Sequence, residues 1–187
     1  MTEGLETISA GPPNRSGSST TVGRLADQIT AACAGEPERM AQRVVAALQI
    51  AAADPLLLTA GQRAPCASGY ARHVLWSDPH GRFTIVALVW TTGQFSPVHA
   101  HHTWCAYAVR NGDLAETLFE IDAMTSRAIP LLTEIRHVGY GCFARSGFDQ
   151  IHRLGNACLE PAISIHVYGI DAARVCSHVN RVVETRT

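Results

Sequence analysis

Between residues 21 and 54 apolar side chains recur every third or fourth position. Val22, Leu25 and Ile29 form a first run that ends near Gly35, and Met40, Val44, Val45 and Leu48 form a second. That period is the turn of an α-helix with one apolar face, and Pro37 suits a helical first turn because its missing N–H would be unpaired there anyway. The pattern predicts two amphipathic helices over 21–54, serving as packing elements. After Pro55 the pattern changes to short runs rich in Val, Ile, Thr and aromatic residues: "RHVLW", "RFTIVALVW", "SPVHAHHTWCAYAV", "LAETLFEID", "IPLLTEI", "GYGCFA", "DQIHRL" and "AISIHVYGI". Turn sequences such as "SDPHG" and "RNGD" separate them, which predicts an antiparallel barrel or sandwich over 55–187. Residues 1–20 carry Gly, Ser, Thr and Pro without an apolar period and read as a disordered tail. The fold expected is mainly β, a jelly-roll barrel preceded by two N-terminal α-helices.

Composition narrows the function classes. The chain has 187 residues, 47% hydrophobic and 17% charged, enough for one domain with its own core. Its formal net charge of −1 gives no reason to expect nucleic acid or an anionic membrane as partner. No apolar run is long enough to cross a bilayer, and no basic start followed by an apolar stretch suggests a signal peptide. Cytoplasmic localisation is therefore expected, as a monomer or weak homo-oligomer. The six cysteines, at 33, 66, 105, 142, 158 and 176, include no C-x-x-C pair, so reduced thiols are expected rather than a disulfide framework or zinc ribbon.

Nine histidines are many for this length, and His99, His101 and His102 cluster within "SPVHAHHTWC". Side chains alternate along a strand, so His99 and His101 share a face and His102 takes the other. A pair of imidazoles on one face is a natural metal-binding couple that needs a third ligand. His73, His80, His137 and His178 stand alone and read as structural. Cys33, Cys66, Cys142, Cys158 and Cys176 read as buried thiols or bystanders.

Gly93, five residues, His99-x-His101, Cys105, and six residues to Gly112 resemble the first cupin motif. "HRLGN", His152 to Asn156, resembles the His-x-x-x-Asn part of the second. The resemblance implies a cupin barrel with His152 as third ligand. Cys105 stands where most cupins carry a ligating Glu. The site implied is three neutral imidazoles without a carboxylate, which favours an anionic ligand supplied by the substrate, such as a thiolate.

Further motifs make the chain similar to the thiol dioxygenases, most of all to the cysteine dioxygenase branch of the cupins. "YAR" (Tyr70 to Arg72) resembles a Tyr-x-Arg whose arginine holds the substrate carboxylate, and "NGDLAETLFE" resembles the strand after the iron-binding one. "IHRLGNACLEPAISIHVYG" resembles the segment carrying the third histidine and a Ser-x-His-x-Tyr triad, here Ser164, His166 and Tyr168. The resemblance implies one Fe(2+) per chain, a small thiol and O2 as partners, and a thioether link between Cys105 and Tyr168. It implies oxidation of L-cysteine to cysteine sulfinic acid. Gly169 after the triad is instead similar to 3-mercaptopropionate dioxygenases, whereas Arg72 and Cys105 favour cysteine. On the histidines alone, another metal cupin enzyme or a non-catalytic metal- or ligand-binding cupin also fits; neither needs Arg72 or the triad.

Overall fold

The computed structural model describes residues 8–9 and 20–185. Apart from Ile8–Ser9 and Thr20, the expected N-terminal tail lies outside the described residues. The first helix, α1 (Thr21–Ala34), starts where the Thr20 hydroxyl accepts the Gly23 N–H at 3.0 Å. The second, α2 (Pro37–Ala53), opens on its proline. Leu25, Ile29, Val44 and Leu48 are all within 1% of full burial, each stabilising the fold by roughly 1.5–3 kcal/mol.

Among the described residues, eleven strands follow in chain order: β1 (Ile8–Ser9), β2 (Ala71–Ser77), β3 (Thr84–Trp90), β4 (His99–His101), β5 (Cys105–Asn111), β6 (Leu114–Ile121), β7 (Ala128–Arg136), β8 (Gly141–Ala144), β9 (Gly147–Gly155), β10 (Ala162–Tyr168) and β11 (Asn180–Val182). They make a six-stranded sheet in the order β1-β2-β3-β10-β5-β8 and a five-stranded sheet in the order β11-β4-β9-β6-β7. Outside the parallel β1–β2 contact, the paired strands are antiparallel.

The six-stranded sheet is apolar on both sides. Ile85, Ala87, Val89, Ile163, Ile165 and Val167 form one core with the two helices, while Val86, Leu88, Trp90, Cys105, Tyr107 and Tyr168 form a second between the sheets. Every residue of β3 and β10 is buried, which explains their near-continuous apolar sequences, since a strand covered on both faces has no solvent side to mark with polar residues. The five-stranded sheet contributes Leu114 and Leu154 to the inner core, while β7 lies mostly exposed.

One expectation needs correction. "SPVHAHHTWCAYAV" reads as one extended run, but the chain leaves the five-stranded sheet after His101 and enters the other at Cys105. The crossing is pinned by His102 N–H to Val179 O (2.9 Å), Thr103 Oγ1 to Gly169 O (2.6 Å) and Gly169 N–H to Trp104 O (2.9 Å). No helix among the described residues is long and apolar enough to cross a membrane.

Candidate metal centre

Between the sheets lies a small cavity lined by residues of both. His99 and His101 enter it from β4, with Ala100 between them packed on the outer side. His152 comes from β9, directly opposite His99 in the ladder. The three rings have centroids 4.7–5.1 Å apart, and one nitrogen from each lies within 4.8 Å of the others. All three are at most 5% exposed. His102, on the opposite phase, is exposed.

Hydrogen bonds fix how the imidazoles face the cavity. His99 Nδ1 lies 2.9 Å from Pro97 O. A carbonyl only accepts, so His99 donates through Nδ1 and its Nε2 keeps a lone pair. His152 donates through Nδ1 to Glu116 Oε1 at 2.7 Å, so Nε2 is the nitrogen available to a metal. His101 Nδ1 is buried with no hydrogen-bonding partner. Burial, then the neighbouring imidazoles, holds His99 far below the ordinary histidine range, and burial with His152 takes His101 down to about 3. Three buried imidazoles, each with a nitrogen left for a ligand, and no carboxylate in the cluster among the described residues, fit a divalent transition metal.

The rest of the lining surrounds that cluster. Arg72 on β2 is 2% exposed and donates through Nη1 to Val175 O at 3.3 Å. It is the one cation among the described residues lining the cavity, and no carboxylate lines it. Tyr70 packs its ring 4.4 Å from that of Trp90. From β10, Ser164, His166 and Tyr168 all face inward. Trp90 donates its indole N–H to Ser164 Oγ (3.0 Å), Ser164 Oγ meets His166 Nε2 (2.8 Å), and His166 Nδ1 meets the Tyr168 hydroxyl (3.3 Å). Burial, then Arg72, holds His166 well below its usual range, so this relay carries a neutral ring. Cys105 stands directly across the ladder from Tyr168. Burial raises its thiol well above the usual range, so Cys105 is protonated at neutral pH.

Two neighbours were not anticipated from the sequence. Asn180 on β11 pairs with His101 and lines the cavity. Glu116 on β6 is fully buried behind His152, with Arg136 Nε donating to its other oxygen at 2.7 Å. Its signal was its phase, two residues from the inward Leu114. Asn156, of the second motif, is structural: its amide donates to Trp90 O (3.1 Å) and Glu160 O (2.8 Å).

The family model described as "Cysteine dioxygenase type I" matches residues 67–178. Curated cysteine dioxygenase type 1 proteins of Rattus norvegicus and Mus musculus are each 29% identical over 101 residues, 53% of this chain and 50% of theirs. The chain thus spans about half the length of the curated relatives it matches. In fold it is similar to an uncharacterized conserved protein with a double-stranded β-helix domain from Klebsiella pneumoniae, with a TM-score of 0.52, 16% identity, and coverage of 71% of this chain and 94% of that one. The barrel is of the cupin type. Since the family match runs from before the cavity-lining Tyr70 and Arg72 to beyond Val175, the chain belongs to the cysteine dioxygenase type I family.

Proposed function

We propose that this protein is a thiol dioxygenase that joins both atoms of O2 to the sulfur of L-cysteine, giving cysteine sulfinic acid. His99, His101 and His152 would hold one ferrous ion. The observation that carries the reading is a carboxylate-free cluster of three buried imidazoles sharing its cavity with a single buried cation, Arg72. When bound, the ion supplies a Lewis-acidic centre that favours the thiolate and a redox partner for O2. The chain's own residues do the rest. Arg72 grips the substrate carboxylate with its planar guanidinium, and Tyr70 walls that end of the cavity. Tyr168 presents its hydroxyl to the reacting atoms, while His166 and Ser164 hold that hydroxyl in place.

A thioether between Cys105 and Tyr168 is part of the same proposal. Facing positions on adjacent strands support it, because directly paired residues bring their side chains close together. Forming it removes one hydrogen from the thiol and one from the ring, both passing to O2.

Gly169 does not argue for 3-mercaptopropionate. A Cβ there would lie 2.1 Å from Trp104 Nε1, so glycine is demanded by the indole packed on it.

Oxygen uptake by iron-loaded protein with L-cysteine, 3-mercaptopropionate, cysteamine and mercaptosuccinate tests the reading. Fastest turnover of cysteine is expected, with iron and activity both lost in His152→Ala. Full iron and activity in that variant, or no uptake with any thiol, would refute it. Intact mass reads the link, a cross-linked chain being lighter by two hydrogen atoms.

A further inference from the structure

The charge missing from the three-histidine cluster sits one hydrogen bond behind it. Glu116 is fully buried, and its two oxygens are spoken for separately: Oε1 by His152 Nδ1 at 2.7 Å, Oε2 by Arg136 Nε at 2.7 Å. Arg136 is braced in turn by Glu134 through Nη1 (2.5 Å), and its guanidinium lies 4.4 Å from the centre of the Tyr140 ring. The carboxylate therefore cannot swing into the cavity to become a ligand without giving up its bonds to both His152 and Arg136. Nor can it rotate away from His152.

The other two imidazoles have no such backing. His99 donates to a neutral carbonyl, Pro97 O, and His101 Nδ1 has no partner. A full negative charge on the far nitrogen pulls its proton outward and raises the electron density at Nε2. A carbonyl does this weakly, an absent partner not at all. The three donors are chemically unequal although their side chains are identical.

We infer that Glu116, held by Arg136, is a positioning residue that makes His152 the strongest donor of the cluster and sets the metal affinity of the site. This rests on the functional reading above, in that His152 binds metal. It adds where the charge balancing the ion comes from in a site whose direct ligands are all neutral.

The experiment is metal binding, independent of turnover. Zinc and ferrous ion are titrated against a chromophoric chelator with the unaltered protein, Glu116→Gln, His152→Ala and a packing control, Leu114→Ala. Gln keeps an oxygen able to accept from His152 but carries no charge. Glu116→Gln should weaken binding by about 10–100-fold, whereas Leu114→Ala should lower thermal stability and leave affinity unchanged. In zinc-loaded protein with labelled histidine, the His152 Nδ1 proton should lie far downfield and move upfield in Glu116→Gln. If Glu116→Gln fails to fold, Glu116→Gln combined with Arg136→Met, which leaves no unpaired buried charge, carries the same expectation. Unchanged affinity and unshifted proton in a variant lacking the carboxylate would overturn the inference while leaving the functional reading intact. Absence of metal binding by the unaltered protein, or full binding by His152→Ala, would overturn both.

Discussion

Arg72 is where a single side chain decides most about substrate. It is 2% exposed, anchored on Val175 O, and the lone cation among the described residues of the cavity lining. A charged hydrogen-bonded pair there is worth about 1.5–3 kcal/mol, or roughly 10–150-fold in kcat/KM. Arg72→Gln should cost about that much with L-cysteine and leave iron content unchanged. With cysteamine, which has no carboxylate, it should cost little. Equal losses with both thiols would remove Arg72 from substrate recognition. At this scale the sequence was readable where strand alternation applies. His99 and His101 fall two apart, as do Ser164, His166 and Tyr168; the histidines and Tyr168 line the cavity, and Ser164 bonds His166 from behind. Glu116 was hidden because Glu120 shares its phase by simple alternation and reads equally well as a solvent face. Burial falls off along β6, leaving Glu116 buried and Glu120, in the same phase, exposed near the strand's end. Nothing in "LAETLFE" announces which of the two carboxylates the barrel covers.

Among the elements, the helices and most strands were legible because each carries its own period. The junction between β4 and β5 was not, since "HAHHTWCAY" lacks a Gly or Pro to mark where one sheet is left for the other. What makes that junction is remote: Trp104 stacks on Phe143 (5.6 Å, 13°) and lies over Gly169, seventy residues beyond the start of β4. A tertiary contact of this kind has no local signature. It also makes a prediction about the element. Gly169→Ala drives a methyl into the indole, at 2.1 Å from Nε1 and 2.5 Å from Cδ1, and overpacking of that sort costs about 1–3 kcal/mol. Denaturant unfolding should register the loss. Combining it with Trp104→Leu should cost less than the sum of the two changes, since the methyl then has room. Additive losses would mean that the indole does not hold the glycine in place.

For the whole molecule, the decisive feature is that the barrel closes around imidazoles rather than carboxylates. His101 is taken down to about 3 from 6.5, chiefly by burial, and His99 and His166 lie well below the same reference. Their folded affinity for protons is lower than in the open chain. Between about pH 6.5 and 3 the unfolded chain therefore binds more protons than the native one, and stability falls as pH falls. Each such histidine contributes a slope approaching about 1.4 kcal/mol per pH unit once its unfolded form is protonated, so the three together approach about 4. Carboxylates act lower: Asp78 is held at about 2 by Arg82, and Glu116, despite the opposing effect of burial, is drawn below its usual 4.5 by His152 and Arg136. Both remain mostly ionised in the folded and open chains down to pH 5, so the histidines dominate the interval from pH 6.5 to 5. Urea unfolding of metal-free protein across that interval should show stability dropping with steepening slope, and His166→Gln should reduce the slope by about a third. A flat profile would mean that protons enter the closed barrel as readily as the open chain. His99 and His101 would then not be the neutral donors that a metal at this centre requires.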